Sequence, residues 1–386
     1  MTLRLNVDTM RRQIRHSAAF QTVGRLKSVR DILTARLPAT LGERCDIIGD
    51  DGSRIPAEVV GIDGRDAQLL CFRAAHGLRP GLEVVTRGMG HRVPTGPQLI
   101  GRVLDGLGTP IDSRGPLAAR SRAASNSQGL NPLTRRRITE ALPTGQRVID
   151  GLLTIGRGQR VGLFAGSGVG KSTLLGEIAS KPRRRMSTSS RSSVSRGREL
   201  RPFLEDCLGE SGLARSVVVI ATSDETPLMR IQAVRTAVAI AECFRDDGAD
   251  VLLFLDSLTR LAHAQRELGL ARGEAPGTRG YPGSVQTLLA AMLERLGTSE
   301  RGSITGLITV LVDGDDHDEP IADAARSILM GTSSSIASSP HAGTSRPSMC
   351  CGASAGCSTK SRRRNIGNGP IGCGGCSRLT PTSKTW

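Results

Sequence analysis

The stretch RVGLFAGSGVGKSTLLGEIA, residues 160–179, constrains this chain more than any other part of it. A short apolar run meets a bend with glycines at 166, 168 and 170, and the bend opens at once into the helical stretch STLLGEIA. Strand, glycine-rich bend and helix in that order form the setting of a phosphate-binding P-loop. Gly166, Gly168 and Gly170 let the backbone turn its N–H groups toward phosphate oxygens, and the helix N-terminus adds a dipole that favours an anion. The loop from Ala165 through Gly166, Ser167, Gly168, Val169 and Gly170 to Lys171, Ser172 and Thr173 is therefore assigned to nucleotide. Lys171 is expected to reach the β- and γ-phosphates and Ser172 to hold Mg²⁺ through its hydroxyl. Thr173 caps the helix or touches the α-phosphate. Ala165 stands where the general pattern has Gly, a mild departure because three glycines remain.

A carboxylate from a second strand completes the site. Val251-Leu-Leu-Phe-Leu-Asp256 reads as a buried strand delivering Asp256 to its C-terminal edge, where open α/β sheets hold their ligands. Asp256 is expected to bind Mg²⁺, directly or through water, from the strand adjoining the P-loop strand. Capping of the helix SLTRLAHAQRE is a compatible second role.

The surrounding rhythm fits. Over 93–329 the apolar runs RVGLFA, SVVVIA, DVLLFLD and ITGLITVLVD alternate with KSTLLGEIA, PLMRIQAVRTAVAIAECF, SLTRLAHAQRELG and VQTLLAAMLERLG. Apolar strands between amphipathic helices predict a parallel sheet covered on both faces. Residues 21–92 read instead as short β segments (RCDIIG, AEVVGID, AQLLCF, LEVVT) split by turn signals, which suits a small β-barrel. Residues 1–20 form a basic, loosely amphipathic segment, a frayed helix or a surface for an acidic membrane or partner.

Composition narrows the partners. The net charge is +16, but 181–195 carries five Lys/Arg and 331–386 seven, with no acid in either, so 12 of the excess charges come from two odd stretches. The basic balance is therefore no argument for specific nucleic-acid binding, and aromatics at 2% argue against base stacking. No apolar run is long enough for a membrane span and no secretory leader is evident, so a cytoplasmic location is expected.

Six strings in order, GLFAGSGVGKSTLLGEIA, RPFLEDCLGE, ATSDETPLMR, LLFLDSLTRLAHAQRE, GTRGYPGSV and DEPIADAARSIL, resemble the type III secretion ATPases. These are relatives of the flagellar export ATPase and of the rotary ATP synthase catalytic subunit. The resemblance covers roughly 20–180 and 197–329. It implies a RecA-like P-loop core behind an N-terminal barrel, a homohexamer with sites between subunits, and ATP with Mg²⁺ as the working ligand. It also implies stalk and regulator proteins of the apparatus, export substrates and their chaperones as partners, and peripheral contact with the inner membrane. A proton-translocating ATP synthase subunit is the second reading, and a non-catalytic nucleotide-binding remnant of a defective gene the third.

The chain departs from that family at one decisive point. The family's GERGRE motif is matched by Val194-Ser-Arg-Gly-Arg-Glu199, so Arg196 and Glu199 align but Ser195 stands where the catalytic glutamate belongs. Serine cannot polarise the attacking water as a carboxylate does, so nucleotide binding with impaired hydrolysis is expected, with Lys171, Arg196 and Glu199 the remaining catalytic candidates. The preceding MSTSSRSSV lacks a buried-strand pattern, so the sheet is expected to miss an apolar strand beside the P-loop strand. Residues 182–195 are expected to be out of frame: reading MSTSSRSSVS, residues 186–195, one base earlier can yield HVNVIALVGE, and the same operation from Met330 can yield GHIVIDRKLAPRG and onward, the family's continuation. Two frame lesions are therefore expected, one compensated near Arg196 and one uncompensated near Met330, which makes 330–386 an aberrant tail in place of a C-terminal helical domain.

The remaining signals are weaker. Cys373-Gly-Gly-Cys376 with Cys350, Cys351 and Cys357 offers only partial zinc spacing, and frame-shifted coding accounts for it as well. The acidic run Asp313–Glu319 is a solvated loop or lies near the nucleotide, Thr222–Glu225 is expected at the site edge, and Arg279 faces either a subunit interface or a central pore.

Overall fold

A computed structural model describes residues 22–117, 121–125, 129–166, 170–180, 186–193, 201–312, 319–329 and 331–334, with 186–193 and 331–334 described by their backbone. All of these belong to one compact unit, Met1–Gly356; a second, Cys357–Trp386, lies outside the described residues. So do the basic segment 1–20 and the cysteine cluster of the tail.

Six antiparallel strands close into a barrel in the order β1-β2-β5-β4-β3-β6. They are β1 (Val23–Ser28), β2 (Leu33–Arg36), β3 (Glu43–Ile48), β4 (Arg54–Asp63), β5 (Asp66–Cys71) and β6 (Glu83–Gly90). Alternate residues point inward, and Ala35, Cys45, Ile47, Ala57, Val59, Leu69 and Val84 are all fully buried. Burial, with Glu43 and Asp46 adding to it, pushes the Cys45 thiol up to about 12, so it stays an unreactive core group. The expected barrel is present, with β1 and β2 added to the strands read from sequence.

Strand β7 (Arg92–Thr95) pairs with β9 (Ser121–Ala124) and leads into the core sheet. That sheet runs β16-β10-β15-β13-β11-β12-β8, with β14 (Gly297–Thr298) antiparallel to β15 off the path. The strands are β8 (Val103–Asp105), β10 (Arg160–Ala165), β11 (Met186–Ser193), β12 (Ser216–Ile220), β13 (Asp250–Asp256), β15 (Ser303–Leu311) and β16 (Gly331–Ser334). Every neighbour pair along the path is parallel.

Two expectations need correction. The expected gap is filled, though not by an apolar strand: Met186–Ser193, MSTSSRSS, occupies the slot between β13 and β12 through parallel backbone pairing. That slot is not beside the P-loop strand, because β10 pairs with β15 and β16. For the same reason β13 does not adjoin β10; β15 lies between them.

Helices cover both faces. On one side lie α1 (Lys171–Ser180), a short α2 (Gly209–Leu213) and the turn Phe203–Leu208; on the other lie α3 (Pro227–Asp246), α4 (Leu258–Ala271), α5 (Gly283–Glu294) and α6 (Pro320–Ile328). The alternation of β13 divides its side chains between the two layers. Val251, Leu253 and Leu255 join the core under α3 to α6, while Leu252 and Phe254 pack with Leu175 and Ile178 of α1. Thr226 caps α3 by accepting from the Met229 N–H at 3.2 Å, Pro227 sits in the first turn, and Gly248 at φ 92° follows its end.

One buried ion pair pins the helical layer. Arg295, just past α5, donates through Nε and Nη2 to both carboxylate oxygens of Glu242 on α3, at 3.0 and 2.6 Å, and through Nη1 to the Ser125 carbonyl at 3.1 Å. The barrel is fastened to the core by Arg235 of α3, 3.6 Å from Glu58, and by Arg272, whose guanidinium donates to the Val60 carbonyl. Burial raises Glu58 above the ordinary carboxylate range, with Arg235 and Arg272 opposing it.

Candidate nucleotide site

Local sequence builds the phosphate loop. Strand β10 ends at Ala165, and α1 begins at Lys171. Gly170 takes φ 83°, a left-handed conformation in which a side chain is strained, and its carbonyl accepts the first helical bond, from Leu174 N–H at 3.0 Å. Gly166 lies against the end of β15: a Cβ there would sit 3.7 Å from the Val312 carbonyl oxygen. The Lys171 ammonium donates back to the Gly166 carbonyl across the loop mouth. Thr173 is exposed on the first turn. Ser167, Gly168, Val169, Arg196 and Glu199 fall outside the described residues, as do the side chains of Ala165 and Ser172.

Asp256 ends β13 on the same carboxyl edge. Its Oδ1 accepts from the Thr309 hydroxyl on β15 at 2.9 Å, and the same hydroxyl lies 3.2 Å from the Leu255 carbonyl. Thr309 is fully buried, so this orientation is set by the core. Ser257 caps α4 through Arg260 N–H at 3.4 Å. Helix capping thus falls to Ser257 rather than to Asp256. Thr259 of α4 ties the end of β15 by accepting from Leu311 N–H at 2.9 Å. Neither Thr309 nor Thr259 is among the residues singled out from sequence; the available signal is a threonine within the otherwise apolar ITGLITVLV run.

The oxygen donors here suit Mg²⁺, which takes one or two protein oxygens together with phosphate and water. Among the described residues there is no group of three or more His, Cys, Asp or Glu that could hold a metal by itself.

The Thr222–Glu225 turn follows β12 at this edge. A hydrogen bond from the Thr222 hydroxyl holds the Asp224 carboxyl below its ordinary range, whereas burial raises Glu225, with Arg73 opposing and Asp105 and Asp224 adding to the rise. The next residue, Thr226, donates its hydroxyl to the Phe72 carbonyl at the end of the barrel, 2.7 Å away. Of the acidic run, Glu319 is described; it flanks α6 and accepts from the Tyr281 hydroxyl at 3.4 Å. Arg279 lies in a tight turn before α5 at φ 50°.

Residues 145–349 match the ATP synthase alpha/beta family, nucleotide-binding domain. This chain belongs to that family. Within it the chain falls with the flagellar and type III secretion ATPases. It is 48% identical over 326 residues to a flagellum-specific ATP synthase of Treponema pallidum, covering 82% of this chain and 72% of that protein. It is 45% identical over 336 residues to a type 3 secretion system ATPase of Xanthomonas euvesicatoria, covering 86% and 74%. Among solved structures, the assembled ATPase EscN of the enteropathogenic E. coli type III secretion system matches with a TM-score of 0.76 and 40% identity, over 81% of this chain and 75% of that one. Barrel and RecA-like core are therefore those of the family, and family members are ATPases. Among the described residues no helix is long and apolar enough to cross a membrane.

Proposed function

We propose that this chain is the ATPase subunit that energises a type III protein-export apparatus, working from the cytoplasmic side as a ring of copies. The observation that carries the reading is the juxtaposition at one sheet edge of the Gly166–Lys171 mouth and the Asp256 carboxylate held by Thr309. The names of the relatives favour export over proton-driven ATP synthesis.

The roles follow from charge and position. The α1 N-terminus and the loop N–H groups receive phosphate oxygens, and Lys171 leaves the Gly166 carbonyl to meet them. Ser172 and Asp256 would hold Mg²⁺, which supplies charge neutralisation on the phosphates. Arg196 and Glu199 are assigned to the site by motif. The turn Thr222–Glu225 is assigned to the edge of the site, and the residue after it, Thr226, bonds the barrel through its hydroxyl. Export substrates, their chaperones and the stalk and regulator proteins are the partners this reading assigns. EscN's description as an assembled ATPase supports a ring, and peripheral membrane contact falls to the basic segment 1–20.

With Ser195 in place of a carboxylate, the chain binds ATP–Mg²⁺ and turns it over slowly. Titration with a fluorescent ATP analogue in Mg²⁺, alongside a phosphate-release assay, tests both halves. Absence of saturable binding sinks the site; turnover at the family's rate sinks the role given to position 195.

A further inference from the structure

The middle of the core sheet is the place least suited to serine. Strand β11 has β12 on one side and β13 on the other, with helical layers above and below. Position 190 pairs with Val217 and Leu253, position 191 with Val218 and Phe254, and position 192 with Val219 and Leu255. All six partners are at most 3% exposed. Strands of a parallel sheet covered on both faces are apolar throughout, because a polar group there loses water and must find other partners. Yet β11 reads MSTSSRSS, with an arginine at its centre. At the far edge β16 reads GTSS, pairing Ser333 with Leu163 and Ser334 with Phe164.

We infer that β11 and β16 are apolar strands whose codons are read one base out of phase in this chain. The genetic code makes the inference sharper than any single choice of codons. A serine codon of the TCN type, read one base earlier, becomes NTC, and all four NTC codons specify Phe, Leu, Ile or Val. Serines at 187, 189, 190, 192, 193, 333 and 334 therefore become apolar whatever base precedes them. An arginine codon of the CGN type becomes NCG, which specifies Ala, Ser, Thr or Pro, so the charge at 191 disappears. Of the positions from 187 to 193, Thr188 alone stays polar in every case, and it sits at the irregular entrance of β11, where the register with β13 shifts.

The packing also locates the lesions. Leu175 and Ile178 are buried in α1, so the reading frame is sound to there; Phe203 and Leu208 are buried, so it is sound again by 203. The first shift falls between codons 179 and 187, its compensation between 194 and 203, and the second shift between Leu329, itself buried, and Ser333. The inference rests on sheet packing and the genetic code, and it stands whether or not the proposed export function is right.

Resequencing the locus across these three intervals is the test. The expected result is TCN at the seven serine codons and an uninterrupted shifted phase across both segments, whether the shift proves to be in the genome or only in the assembled reads. AGT or AGC serine codons, or a stop in the shifted phase inside either strand, overturn the inference. Independently, the full-length encoded chain and the full-length frame-restored chain are produced side by side. The restored chain is expected to be soluble with one cooperative melting transition, and the encoded chain to melt lower and less cooperatively. Equal melting of the two overturns the inference too.

Discussion

The hydroxyl of Thr309 offers the cleanest separation of metal handling from phosphate binding. It is fully buried, donates to Asp256 at 2.9 Å, and lies one strand away from the phosphate loop. Thr309→Val keeps the shape and removes the donor. A hydrogen bond to a charged group contributes about 1.5–3 kcal/mol. If all of that serves to aim the carboxylate at Mg²⁺, nucleotide affinity in Mg²⁺ falls by about 10- to 150-fold. Rotation of Asp256 onto another partner or water softens the loss toward the lower figure. Without Mg²⁺, in EDTA, the phosphate loop binds alone and the variant should match the parent chain. The assay is a fluorescent-nucleotide titration of both proteins in both buffers, with circular dichroism to confirm equal folding. An equal loss in the two buffers, or no loss in either, refutes the reasoning that Thr309 acts through Asp256.

Lys171→Ala should weaken nucleotide binding by about 10- to 150-fold, by the same charge-assisted bond strength, and it should do so with or without Mg²⁺; a loss confined to the Mg²⁺ titration contradicts the role given to Lys171. Glu242→Ala leaves Arg295 buried at 2% side-chain exposure without its bidentate partner and should cost about 3–5 kcal/mol in urea unfolding, whereas Glu242→Leu with Arg295→Met should recover most of it. The pH dependence of stability should carry the mark of Asp112. The Arg102 guanidinium, aided by the Val103 and Arg114 N–H groups against the pull of burial, holds its carboxyl well below the ordinary range. A depressed carboxyl contributes fully above its unfolded value, about 3.9, and the contribution is lost as pH falls through the lower folded value. Asp112→Asn should therefore lower the urea midpoint at pH 6 and flatten its decline toward pH 2; a parallel decline in both proteins counts against it.

Legibility in the sequence followed the range of the interactions. The phosphate loop was readable because strand, bend and helix are consecutive, and β10 and β13 run over the residues the apolar pattern marked. Strands β1 and β2 escaped notice because VGRLKS and LTAR carry Arg25, Lys27 and Arg36 on outward positions, which dilutes the alternation. Strand β8 is only VLD, too short to show a period. The order of strands was not readable at all: nothing local says that β15, last of the long strands, inserts between β10 and β13. Thr309 was missed for the same reason, since its partner is 53 residues away and its own neighbours are apolar. Strand β11 does not show in the encoded residues because its side-chain pattern contradicts its place; it shows only in the shifted reading, and backbone pairing with two neighbours holds it in the sheet.

Closure of the six-stranded barrel has a bearing on how copies can assemble. A ring of strands with every ladder satisfied offers no open flank, so one copy cannot extend the barrel of the next by lending it a strand. Among the described residues the outer wall of the barrel presents paired charges, with Lys27, Arg25 and Arg36 beside Asp66 and Glu83. Any contact that copies make through this charged wall is screened by salt, so it weakens as ionic strength rises.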